Sequence, residues 1–168
     1  MSTTESEEAF VRELEALLSG GEEASRMDAA LGRILTEFDC VLGTIHVVDS
    51  GSHSTGAEGL LRLTAQRGLP PTVAEKVQTV PVGKGMAGIA AARMEAVQVC
   101  NLQTDESGVA RPGARETAME GCVSAPMIVE GELRGVLGVA KPHAYEFTAA
   151  ETDLLLRVGA VIGKTVLK

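Results

Sequence analysis

Apolar residues recur every three or four positions in two early segments of the chain. Phe10, Leu14, Leu17 and Leu18 form one stripe; Met27, Ala30, Leu31, Ile34, Leu35 and Phe38 form a second. That spacing places each set on one face of an α-helix. Thr4 with Glu7 has the T-x-x-E spacing of a capping box, Gly20-Gly21 ends the first helix, and Ser25 is the expected N-cap of the second. From Cys40 the pattern changes. CVLGTIHVV is rich in β-branched residues and bounded by Asp39 and Asp49, which predicts a central strand. After the Gly/Ser loop SGSHSTGAEG, LLRLTAQ alternates and pairs with that strand as a hairpin.

The middle third is less regular. GLPPTVAEKVQTVPVGKGMAGIAAARMEAVQV holds two short helices, the first opened by the Pro pair and closed by Pro81 and Gly83, the second formed by GMAGIAAARM. AVQVC is a short strand. NLQTDESGVARPGARETAMEG has no apolar period over about 20 residues, and loops of that length in a compact domain usually carry function or are disordered. CVSAPMIV and LRGVLGVA flank Glu130-Gly131-Glu132 as an antiparallel hairpin. Thr148 and Glu151 repeat the capping-box spacing and open a closing helix with a wide apolar face, Leu154, Leu155, Val158, Val161, Ile162 and Val166.

The length, 168 residues, fits one domain able to bury its own core. Lys and Arg number 15 against 23 Asp and Glu, for a formal charge of -8. Nucleic acid and anionic membranes select the opposite sign, so neither is an expected partner. The polar, acidic start lacks the regions of a signal peptide, and no apolar run reaches the ~18 residues that span a bilayer. A cytoplasmic setting with free thiols follows as the expectation. Cys40, Cys100 and Cys122 form no C-x-x-C, and His46, His53 and His143 have no metal-ligand spacing, so no metal and no cofactor are expected.

The order of elements and four local patterns resemble the GAF domain family of small-molecule sensors. VPVGKGMAGIAA is similar to the family's P-x-G-x-G-x-A-G turn into a helix, and VQVCNLQTD to its short strand ending in an Asp. CVSAPMIVEGELRGVLGVAKP resembles its long hairpin, and FTAAETDLLLRVGAVIGKTV its closing helix. The resemblance spans about residues 25 to 168, and the division it implies is a helical extension at 1–22 and a GAF domain at 23–168. The implied fold is an α+β, PAS-like antiparallel sheet of five or six strands. Terminal helices cover one face; small helices and the long loop cover a pocket on the other.

In such domains the pocket falls on Met86, Ala87, Ala90, Val99, Cys100, Asn101, Asp105, Met119, Glu120, Cys122 and Ser124, with Met127 at its margin. No Phe, Tyr or Trp occurs from Asp39 through Ala144, so a stacked purine is disfavoured, although Arg93, Arg111 and Arg115 offer phosphate-binding charge. The GAF-fold free methionine-(R)-sulfoxide reductases resemble one another in a G-K-G-V-C-G segment; Ala87 stands here at the cysteine. The expected function is a non-catalytic sensory module that binds a small molecule and acts on a separate output protein. Alternatives are a degenerate fold serving protein interaction and a thiol-based sulfoxide reductase. A homodimer is expected through Phe10, Leu14 and Leu17 or through Gly159 and Gly163, four residues apart on one helical face.

Overall fold

A computed structural model of the chain describes residues 2–49 and 59–166. Two amphipathic helices lead, α1 (Thr3–Leu18) and α2 (Glu23–Phe38). The N-cap of α1 is Ser2, whose hydroxyl accepts from the Glu5 N–H at 3.1 Å, so Thr4 lies inside the first turn instead of capping it. α2 likewise starts before Ser25, with Glu22 at the N-cap and no side-chain cap bond. It ends at Asp39, which takes the left-handed conformation at φ 52°. The Gly/Ser loop of the first hairpin, with His53, lies at 50–58, outside the described residues.

β1 (Leu42–Val48) and β2 (Leu60–Arg67) form that hairpin, and α3 (Pro71–Lys76) follows. Then come β3 (Thr79–Pro81), which the sequence pattern did not suggest, α4 (Gly85–Arg93) and β4 (Val97–Val99). The long loop contains one 3-10 turn, Pro112–Thr117. β5 (Gly121–Val129), β6 (Glu132–Lys141) and α5 (Ala149–Thr165) complete the chain. The six strands make one antiparallel sheet in the order β3-β2-β1-β6-β5-β4.

Alternation along the three central strands divides the molecule into two layers. Ile45 and Val47 of β1, Val123, Ala125 and Met127 of β5, and Leu137 and Val139 of β6 pack with α1, α2 and α5. Leu14, Met27, Leu31 and Ile34 are fully buried there, each burial favouring the fold by about 1.5–3 kcal/mol. α1 is thus part of the same core as the domain it precedes. Leu42, Thr44 and His46 of β1, Cys122 and Ser124 of β5, and Gly138 and Ala140 of β6 line the opposite side.

This layering corrects two expectations. Met127 is on the helical face, fully buried, and takes no part in a pocket on the other side. Gly159 and Gly163 do not face outward for a second helix. A Cβ at Gly159 would lie 3.2 Å from Met127 Cγ, and one at Gly163 would lie 2.9 Å from Val129 Cγ2, so both let α5 approach its own sheet. Phe10 and Leu14 are buried within the chain as well, and only Leu17 of that stripe is partly exposed.

Candidate ligand-binding cavity

A cavity of about 510 Å³ lies between the sheet and a cover built from α3, the first turn of α4 and the 3-10 turn. Its walls are mainly aliphatic, including Leu42, Leu69, Val73, Val77, Met86 and Leu102. Its floor carries hydroxyls. Gly138 sits between Thr44 and Ser124: an ideal Cβ there would be 2.9 Å from Thr44 Oγ1 and 3.6 Å from Ser124 Oγ. Any side chain at position 138 would fill the floor, so glycine is what keeps those two hydroxyls open to the cavity.

His46 is 3% exposed, and its Nε2 lies 2.9 Å from the Val77 carbonyl oxygen. A carbonyl only accepts, so Nε2 carries a proton, and the neutral form of the ring is the Nε2–H tautomer. Burial drives the His46 pKa below its ordinary 6.5, with the Val77 bond partly opposing. Its Nδ1 is enclosed and makes no hydrogen bond among the described residues. This bond ties the end of α3 to the centre of β1.

Met86, in the first turn of α4, meets the floor through sulfur. The Cys122 thiol donates to Met86 Sδ at 3.0 Å. Burial pushes the Cys122 thiol up to about 12, partly offset by the Val99 backbone, so it is a protonated wall group and no nucleophile. Cys40, on the helical side, is raised to about 11 chiefly by burial.

The loop over the cavity is anchored at several points. Lys76 Nζ pairs with Glu116 Oε2 at 2.8 Å, joining α3 to the 3-10 turn. Arg115 donates from Nε to the Leu102 carbonyl at 3.3 Å and from its terminal nitrogen to the Asp105 carbonyl at 3.0 Å. Gln103 Nε2 donates to the Met119 carbonyl at 2.8 Å. A second, outer cavity of about 570 Å³ adjoins the first and shares Gly85, Leu102, Ala110, Arg111 and Pro112 with it.

Of the residues the sequence placed in the pocket, Met86, Ala87, Cys122 and Ser124 line the main cavity. Asp105 lines the outer one. Ala90 and Val99 lie in the packing beneath, and Met119 packs against the cluster around Leu42 and Cys122. Cys100 is exposed and contributes its carbonyl oxygen to the Tyr145 N–H at 3.0 Å. Asn101 and Glu120 bond each other at 3.4 Å and brace the loop. Arg93 lies in the last turn of α4, away from both cavities. Thr44 and His46 were missed. Their signal was present in GTIHVV, because a strand that buries Ile45 and Val47 must turn Thr44 and His46 to its other face.

Among the described residues no group of three or more His, Cys, Asp or Glu is arranged to hold a metal ion. No helix of the described residues is long and apolar enough to cross a membrane.

A family model for the GAF domain matches residues 22–166. A comparison with curated proteins returns no match. Among solved structures, the GAF domain of a phosphoenolpyruvate-protein phosphotransferase from Coxiella burnetii superposes with a TM-score of 0.78 at 16% identity, over 98% of this chain and 95% of that one. The corresponding domain from Acinetobacter gives 0.76 at 19% identity, over 98% and 93%. A free methionine-R-sulfoxide reductase from Neisseria meningitidis, solved with its substrate, gives 0.74 at 16% identity, over 98% and 90%. At such identities these likenesses establish a common fold.

Proposed function

The chain belongs to the GAF domain family, and on that premise we propose that it is a non-catalytic regulatory module holding a small molecule over its sheet. The observation that carries this proposal is the cavity of about 510 Å³, with aliphatic walls and the hydroxyls of Thr44 and Ser124 on its floor. Small-molecule sites are typically hollows of this size, largely apolar with a few placed polar groups.

A route from the cavity to the terminal helix supports the regulatory half of the proposal. The loop over the cavity begins at Cys100, whose carbonyl holds the Tyr145 N–H. Gln98, in β4, bonds both the Phe147 N–H at 2.9 Å and the Phe147 carbonyl at 3.2 Å. Tyr145 in turn bonds Glu151, which closes the capping box of α5. A shift of the loop on ligand binding thus bears directly on the start of α5, where a separate output protein would sense it. Assembly as a homodimer belongs to the same proposal, with the partly exposed Leu17, Leu154, Leu156, Val161 and Val166 as apolar positions left on the helical layer.

Two observations favour binding over thiol chemistry. Ala87 stands where the reductase resemblance places a cysteine, and the thiol that does line the cavity, Cys122, is held protonated by burial. A nucleophilic sulfur needs the thiolate.

The test is a thermal-shift screen of metabolites on wild type and on Ala114→Phe, which fills the cavity from its cover. A compound that raises the melting temperature of wild type and not of the variant is the expected result. Absence of stabilisation by any compound would leave protein interaction as the better account.

A further inference from the structure

From the rim of the cavity we infer the class of its ligand: an amphipathic anion, with an aliphatic body in the main cavity and a compact anionic end, carboxylate or phosphate, on the Arg111 guanidinium. This assignment rests on the cavity being a ligand site. Arg111 lines both cavities, at the point where the apolar inner space opens into the outer one. Its stem lies against Gly85, where an ideal Cβ would be 3.0 Å from Arg111 Cδ and 3.1 Å from Cγ. Gly85 has φ +71°, a second reason why that residue is glycine. The backbone therefore makes room for this arginine to cross the junction.

The neighbouring charges leave Arg111 uncommitted. Lys76 is paired with Glu116, and Arg115 is spent on the Leu102 and Asp105 carbonyls. Asp105 accepts from the Ser107 N–H and hydroxyl. Among the described residues lining the two cavities, Arg111, Lys84 and Glu106 have no ion pair or side-chain hydrogen bond. That leaves a surplus of positive charge at this rim on a chain whose formal charge is -8. A local cationic site on an acidic protein selects an anion, and guanidinium bonds to carboxylate or phosphate are charge-assisted. The walls specify the remainder. Among the described residues His46 is the only aromatic ring lining the main cavity, so a flexible aliphatic body fits where a stacked base does not.

Octanoate and 1-octanol share a chain length and differ in the anionic end, which makes them the probes. Calorimetric titration of both into wild type and Arg111→Gln separates the two levels of the proposal. Expected is octanoate binding that weakens about tenfold in R111Q, with octanol binding unchanged. Equal octanoate affinity in the two proteins, with octanol bound by both, would overturn the role of Arg111 and leave the cavity as a site. Binding of neither probe to wild type would overturn both. A thermal melt of R111Q matching wild type establishes that the variant is folded.

Discussion

The Tyr145 hydroxyl lies 2.8 Å from Glu151 Oε1, joining the segment that leaves β6 to the first turn of α5. Glu151 also accepts from the Thr148 N–H at 2.9 Å, and the Thr148 hydroxyl accepts from the Glu151 N–H at 3.1 Å. Burial alone would push the Glu151 carboxyl up. Its bonds to Thr148 and Tyr145, with the Lys141 ammonium nearby, outweigh burial and hold it below the usual carboxylate range.

Tyr145→Phe removes one bond from this junction. The site is partly exposed, so the expected loss of stability is about 1 kcal/mol, below the ~1.5–3 kcal/mol of bonds to charged groups. Glu151 has a depressed folded pKa, so its contribution is present above the unfolded value near 4.5 and is lost as pH falls through the folded value. The gap between denaturant titrations of wild type and Y145F should therefore narrow as pH falls below 4.5 and close below the folded value. A constant gap down to pH 3 would show that Glu151 is not the partner that matters.

His46 gives a second pH dependence in a different window. Its folded pKa is lowered by burial, so between 6.5 and that lower value the unfolded chain binds a proton the folded chain refuses. Stability must rise with pH across this interval and level off above it. His46→Gln keeps a donor for the Val77 carbonyl and cannot titrate. Unfolding midpoints measured from pH 5 to 7.5 should slope less in H46Q than in wild type. Equal slopes would place the titrating group elsewhere.

The three thiols should separate cleanly. Cys100 is exposed, whereas Cys40 and Cys122 are buried and raised to about 11 and about 12. Iodoacetamide acts on the thiolate. At pH 8 the folded protein should gain one adduct by mass spectrometry, mapping to Cys100, and in denaturant three. Rapid native labelling of Cys122 would contradict the closed floor beneath Met86.

The periodic elements were legible because each side chain reports its own burial. Met27 to Phe38 repeat at helical spacing and all of the expected positions are buried along α2. Glycine-marked turns were legible for the same local reason. Capping was not: Ser2 and Thr4 offer the same chemistry, and the residue that caps α1 is Ser2. The cavity was half legible. Cys122 and Ser124 follow from the alternation of β5, and Arg111 was one of three arginines named for their charge; that Arg111 and not Arg93 reaches the main cavity depends on the 3-10 turn folding back over Gly85, a contact between segments distant in sequence. Gly159 and Gly163 show the converse error, since spacing on a helix says that two small residues share a face and not what lies against it.

The contact between Gly159 and Met127 can be tested as a pair. A Cβ at Gly159 would sit 3.2 Å from Met127 Cγ and 3.4 Å from the Met127 Cα and the Pro126 carbonyl oxygen. Within a helix, Gly→Ala by itself stabilises by about 1 kcal/mol. In wild type that gain is offset by pressing Met127, a fully buried side chain, into a packed core. Met127→Ala removes the obstacle at a cost of about 2–5 kcal/mol. Gly159→Ala should therefore be neutral or destabilising in wild type and stabilising in the M127A background, with a coupling of about 0.5–2 kcal/mol in a double-mutant cycle of denaturant unfolding. If Gly159 instead received a helix from a second copy, G159A would change the oligomeric state by light scattering, and the two substitutions would simply add.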